Sequence, residues 1–112
     1  MDYRQIADDF AVTGQITAED IPAVKAAGFK SVICNRPNEE QPGQPPYEGI
    51  KAAAEAAGLA FAYIPVISGQ LTHENVADMA AALDELDGPV FAYCRSGARS
   101  TNLYMMAKQS RG

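Results

Sequence analysis

The residues of this chain best suited to chemistry lie together near its end, in Cys94-Arg95-Ser96-Gly97-Ala98-Arg99-Ser100. A cysteine that closes an apolar strand, followed by a glycine-bearing turn and the start of a helix, sits inside a ring of backbone N–H groups. The unpaired N–H groups and the positive dipole end of the helix's first turn add to that ring. Such a site lowers the pKa of Cys94, so that the nucleophilic thiolate exists at neutral pH, and holds an oxyanion against the sulfur. Gly97 allows the positive φ with which the loop curls. Arg99 offers a planar fork for bidentate oxyanion contact, and Ser100 a hydroxyl near the sulfur. Arg95, Ser96 and Ala98 complete the anion-binding loop, with the Arg95 side chain expected to point outward and steer anions. An isolated cysteine at a strand end is usually a plain buried residue. Here strand, Cys, Gly, Arg, Ser and helix coincide, which favours a functional thiolate.

Two further residues are candidates. Cys34 ends another apolar strand and is either a resolving or relay thiol for Cys94 or, more simply, a buried strand residue. Arg36, in Asn35-Arg36-Pro37, is either a second anion-binding group or a surface arginine opening a loop. The single histidine, His73, follows a helix cap and reads as solvated. One histidine and two cysteines do not build an ordinary zinc site, so neither metal nor cofactor is expected.

The elements that must position this loop follow from the apolar pattern. Phe10–Thr13, Phe29–Cys34, Leu59–Ile64 and Val90–Tyr93 read as short strands. Helices are expected near Thr17–Ala27, over Tyr47–Ala57, from a Thr72 cap through Leu86, and from the Gly97–Ser100 stretch onward. Residues Asn35 to Pro46 hold four prolines and a glycine and read as a surface loop. Strands alternating with helices imply a three-layer α/β/α domain with a four-stranded parallel sheet, its active-site loop between the last strand and last helix. Ligands in such sheets bind beyond the carboxyl ends of the strands, where Cys94 falls.

With 112 residues, the expectation is one domain over 1–112. A net charge of −5 argues against nucleic acid and anionic membranes as partners. The absence of a long apolar run argues against a membrane span. The polar start Met1-Asp2-Tyr3-Arg4-Gln5 does not resemble a signal peptide, and so few cysteines fit a reducing compartment, so the cytoplasm is expected.

Tyr93 to Ser100 resembles the active-site loop of rhodanese-type sulfurtransferases. From Phe10 onward the chain is similar to the bacterial family of beta-lactamase hydrolase-like protein, phosphatase-like domain. Val12-Thr13-Gly14-Gln15, Ala27 to Ile33, Asn35-Arg36-Pro37, Tyr63-Ile64-Pro65-Val66 and Gly88 to Ser100 carry this likeness. The resemblance implies a cysteine-phosphatase-like fold. It also implies, in some members, a metallo-β-lactamase-type persulfide dioxygenase fused to the domain or encoded beside it. Relatives usually continue past the loop helix into a further helical segment. Ending at Gly112 leaves apolar helix surface with less cover, which admits a homo-oligomer or a partner domain.

Two enzyme classes share such a cysteine. Four residues separate Cys94 from Arg99, one fewer than in tyrosine-phosphatase-type enzymes, making a smaller cup. The segment where those enzymes carry a general-acid Asp reads Pro65-Val66-Ile67-Ser68-Gly69-Gln70, and the histidine that precedes their cysteine is replaced by Tyr93. On these grounds the expected function is a sulfurtransferase that moves sulfane sulfur from thiosulfate or a persulfide through a Cys94 persulfide. The alternative is a protein-tyrosine or dual-specificity phosphatase-like hydrolase with a phosphocysteine at Cys94. In both, the substrate is a small anion or a persulfide.

Overall fold

The computed structural model describes residues 2–111. The chain runs β1 (Arg4–Ala7), β2 (Phe10–Thr13), a short 3-10 turn (Ala18–Asp20), α1 (Ile21–Ala26), β3 (Ser31–Cys34), α2 (Tyr47–Ala56), β4 (Ala60–Tyr63), α3 (His73–Glu85), β5 (Val90–Tyr93) and α4 (Ala98–Ser110). The sheet order is β1-β2-β5-β3-β4. The four strands expected from sequence all form and are mutually parallel, with β5 between β2 and β3.

The sheet has five strands rather than the expected four. β1 adds antiparallel to the outer edge of β2, Arg4 opposite Val12 and Gln5 opposite Ala11. Its residues carry no apolar run; what it supplies is backbone pairing, and Tyr3 just before it packs edge-on against Phe29 and Phe91 at 5.3 and 5.6 Å between ring centres.

Period-2 alternation along the buried strands divides the core into two halves, one on each sheet face. Phe10, Val12, Ile33, Val90 and Ala92 face α3 and α4, packing with Met79, Leu103 and Tyr104. Ala11, Val32, Cys34, Phe91 and Tyr93 face the other way, with Ile21, Val24, Ile50 and Ala54 of α1 and α2. This is the three-layer arrangement. Thr72 caps α3 as expected: its hydroxyl accepts from Asn75 N–H at 3.1 Å while the Asn75 side chain accepts from Thr72 N–H at 3.0 Å. On α4 the spacing places Leu103, Tyr104 and Ala107 inward, but Met105 and Met106 are 54% and 44% exposed. The i, i+3, i+4 spacing groups Met106 with Leu103 and Ala107 on one face, but both methionines sit between the buried positions of the helix, on its outer side. No helix among the described residues is long and apolar enough to cross a membrane.

Candidate active site

The site forms where the strand ladder runs out. Beyond the carboxyl ends the backbone keeps pairing: Cys94 N–H donates to Thr13 carbonyl at 3.3 Å, Asn35 N–H to Tyr93 carbonyl at 2.8 Å, and Val66 N–H to Asn35 carbonyl at 3.0 Å. These bonds fix the loops after β2, β3, β4 and β5 side by side. Cys94 itself is fully buried. Gly97 N–H donates to Cys94 Sγ at 3.1 Å, and Gly97 takes φ +94°, a left-handed conformation that turns the chain into α4. Burial alone would push the Cys94 thiol up. The N–H groups of Ser100, Ser96 and Gly97 and the Ser100 hydroxyl favour the thiolate more strongly, and the net effect is a pKa below that of an ordinary cysteine.

Gly14 supports the loop from outside. A Cβ at Gly14 would meet the Arg95 carbonyl at 2.9 Å, so only glycine lets the β2 end approach this closely. The neighbouring Gln15 N–H donates to the same Arg95 carbonyl at 3.4 Å. Arg95, Ser96 and Ala98 have exposed side chains, as expected for Arg95, while Ser100 is buried.

Arg99 does not project freely. Its Nη1 donates to Glu40 Oε2 at 2.6 Å and to the Val66 carbonyl at 2.8 Å, and its Nη2 donates to Glu40 Oε1 at 2.8 Å. A guanidinium has five N–H groups. Three are thus engaged, leaving Nε–H and one Nη2–H side by side on the fork's lateral edge, the pair that bidentate oxyanion contact needs.

Arg36 donates from Nε to the same Glu40 Oε1 at 2.8 Å, from Nη1 to Gln15 Oε1 at 3.0 Å and from Nη2 to Gln41 Oε1 at 3.1 Å. At 3% exposure it is buried, which overturns the surface-arginine reading and makes it part of the site's frame. The two guanidiniums, Arg99 foremost, hold the Glu40 carboxyl down to about 2, and Glu40 in turn raises the Arg99 pKa. Glu40 is therefore ionised at any ordinary pH.

Sequence reasoning missed Glu40, which lies in the proline-rich loop 59 positions from Arg99. That loop is irregular as expected, yet rigidly clipped. Gln44 accepts from Glu40 N–H at 2.9 Å and donates to the Pro37 carbonyl at 2.9 Å. Asn38 accepts from Tyr47 N–H at 2.9 Å and so anchors the start of α2. Glu39 adopts φ +65°, a strained conformation for a non-glycine residue, immediately before the carboxylate that braces Arg99. The only sequence signal was an acidic pair inside a proline-rich loop beside Asn35-Arg36-Pro37.

Cys34 lies on the strand next to the Cys94 strand, and both thiols are free. Its partner in register is Tyr93. The Cys34 thiol donates to the Arg36 carbonyl at 3.3 Å, and burial pushes its pKa up despite help from the Tyr93 hydroxyl. A buried, protonated, hydrogen-bonded thiol is a poor attacking group.

A cysteine of lowered pKa at the end of a central parallel strand, cupped by the first turn of a helix and flanked by a braced arginine, defines a cysteine-phosphatase-like α/β domain. The chain belongs to the family described as beta-lactamase hydrolase-like protein, phosphatase-like domain, whose profile matches residues 2–110. It is 38% identical over 104 residues to a beta-lactamase hydrolase-like protein of Agrobacterium fabrum, and 32% identical over 108 residues to one of Xylella fastidiosa. These alignments cover 93% and 96% of the chain but 24% and 25% of the relatives. The chain thus spans about a quarter of the length of the curated relatives it matches. Among solved structures it is similar to a candidate phosphatase from Neisseria meningitidis, with TM-score 0.86 and 29% identity over 97% of this chain and 78% of that one. A second candidate phosphatase, from Shewanella putrefaciens, gives TM-score 0.82 and 25% identity over 98% and 70%. The PP-IP phosphatase SIW14 of S. cerevisiae shares the fold at TM-score 0.64 and 12% identity, over 85% and 56%.

Proposed function

We propose that this domain is a cysteine-dependent phosphoryl hydrolase in which the Cys94 thiolate attacks phosphorus and is transiently phosphorylated. The observation that carries this reading is the pairing of a pKa-lowered, N–H-ringed Cys94 with an Arg99 whose spare N–H pair is left for an oxyanion. The loop N–H groups and that guanidinium edge would hold the equatorial phosphoryl oxygens as charge develops on them. The phosphatase-like family and the phosphatase descriptions of relatives at 25–29% identity support phosphoryl chemistry over the sulfur transfer expected from the loop. The test is phosphate release from p-nitrophenyl phosphate, with acid-quench trapping of 32P on Cys94. Turnover that survives Cys94→Ser, or the lack of any labelled cysteine, refutes it.

Sulfur transfer stands as the second reading on one specific observation, the four-residue spacing from Cys94 to Arg99, which makes a cup suited to a sulfane sulfur. In that reading Cys94 carries a persulfide. A persulfide dioxygenase of metallo-β-lactamase type is then the proposed partner, removing persulfide by oxidising its outer sulfur with O2. Thiocyanate formation from thiosulfate and cyanide, run beside the phosphate assay, ranks the two.

A further inference from the structure

Phosphoryl transfer to a thiolate expels an oxygen, and a basic alkoxide leaves slowly unless a nearby acid gives it a proton, an effect worth about 10²–10⁴-fold. The segment after β4 lies against Arg99, because the Val66 carbonyl accepts from Arg99 Nη1 at 2.8 Å. From there Ile67, Ser68, Gly69 and Gln70 are exposed. They offer an alkyl group, a hydroxyl, no side chain and an amide, none of which yields a proton at neutral pH.

Glu40 is the carboxylate that touches Arg99, but its two oxygens already accept three guanidinium N–H groups and it is ionised. The Ser100 hydroxyl is buried with no hydrogen-bond partner among the described residues, and as an alcohol it yields no proton at neutral pH. His73 lines a surface cavity of about 340 Å³ with Leu71, Thr72, Val76 and Met106. Met106 lies seven residues along α4 from Arg99, roughly 10 Å away. Asp2 opens onto the other flank of the loop, in a cavity with Arg4, Thr13 and Ser96.

Resting on the phosphoryl-hydrolase reading, we propose that this site works without a general acid. It takes phosphoryl groups whose leaving group departs as a stable anion, namely phosphoric anhydrides and esters of acidic phenols, and discriminates against alkyl phosphate esters. In the first step a Cys94 Sγ lone pair forms the S–P bond while the P–O bond breaks, and the departing oxygen keeps that electron pair with no proton added. In the second, a water oxygen attacks phosphorus and the S–P electron pair returns to Sγ. The water proton passes through a phosphoryl oxygen to solvent, and inorganic phosphate is released.

The experiment measures kcat/KM of the full chain for aryl phosphates graded by phenol acidity, for inorganic pyrophosphate, and for phosphoserine and glycerol 2-phosphate. The expected result is a steep fall with leaving-group basicity, with the alkyl esters at least about 10²-fold below p-nitrophenyl phosphate. Comparable rates for phosphoserine and p-nitrophenyl phosphate overturn the inference while leaving the phosphatase reading intact. Phosphate release from none of the series, with no label on Cys94, refutes that reading and the inference with it. Asp2→Asn and His73→Gln are expected to leave the slope of the series unchanged. A variant that slows only the poor leaving groups would identify the missing acid and overturn the proposal.

Discussion

Replacing Glu40 by glutamine tests whether the site depends on a braced Arg99. The carboxylate takes two N–H groups from Arg99 at 2.6 and 2.8 Å and one from Arg36 at 2.8 Å. Glutamine has the same shape but only one acceptor atom, and its NH₂ meets a guanidinium N–H head-on. At least one charge-assisted bond to Arg99 is lost and the others become neutral-acceptor bonds, each weaker by about 1 kcal/mol. Discounting for partial solvent access, the loss of arginine positioning comes to about 2 kcal/mol, or roughly 30-fold in rate. Because Arg99 grips the phosphoryl oxygens hardest as charge develops, the loss is expected mainly in kcat for p-nitrophenyl phosphate. Glu40→Asp, which keeps the charge on a shorter stem, is expected to recover part of it. The alkylation rate of Cys94 by iodoacetamide should hardly move, since the N–H groups of the loop set the thiolate and Glu40 does not touch it. A kcat within about twofold of wild type would refute the bracing argument. So would tighter binding of phosphate or vanadate to Glu40→Gln, since it would make Glu40 a competitor for Arg99.

Cys94→Ser is expected to abolish turnover with the fold retained by circular dichroism. The wild-type alkylation rate should rise with pH through a midpoint below 9.0, the ordinary value for a thiol, because the folded site favours the deprotonated form; a midpoint at or above that value contradicts the loop chemistry. Gly14→Ala should push the Arg95 carbonyl away from a Cβ that would lie 2.9 Å from it and slow Cys94 alkylation severalfold; an unchanged rate would show that the loop does not lean on β2. Cys34→Ser is expected to keep most activity, since a protonated thiol bonded to the Arg36 carbonyl takes no part in transfer; persulfide or phosphate trapped on Cys94 without turnover would instead reveal a relay. Glu40 has its carboxyl held down to about 2 from 4.5, so its charge stabilises the fold fully above about pH 4.5. That contribution is lost as pH falls toward 2, and the stability difference between wild type and Glu40→Gln in urea should shrink over that window.

The parallel strands and the reactive loop were legible because both are written in local pattern. Val90-Phe91-Ala92-Tyr93 and Ser31-Val32-Ile33-Cys34 are buried on both faces, so they read as continuous apolar runs. Gly97 marks the left-handed turn that a nucleophile loop needs, and a thiolate inside a helix's first turn follows from backbone chemistry alone. β1 was not legible: its stabilisation is a backbone ladder along the edge of β2, and of Arg4-Gln5-Ile6-Ala7 only Ile6 and Ala7 pack, partly buried, against the core, too short a pattern to read as a strand. The exposure of Met105 and Met106 likewise depends on which side of α4 meets the sheet.

The sequence by itself determined the placement of Cys94 at the strand-to-helix turn, of Arg99 in the first turn of that helix, and the order of elements that delivers them, because each is a matter of residue type and short spacing. Only the tertiary structure decided what Arg99 does. The loop after β3 is brought against α4 because β3 and β5 are neighbours in the sheet, though far apart in the chain. That juxtaposition sets Glu40 between Arg36 and Arg99 and turns a free guanidinium into a fixed one. The same packing set Cys34 opposite Tyr93 and bonded its thiol to the Arg36 carbonyl. Charge pairing across 59 positions of sequence leaves no periodic trace in the chain, since it depends on where the sheet places two loops rather than on either loop alone.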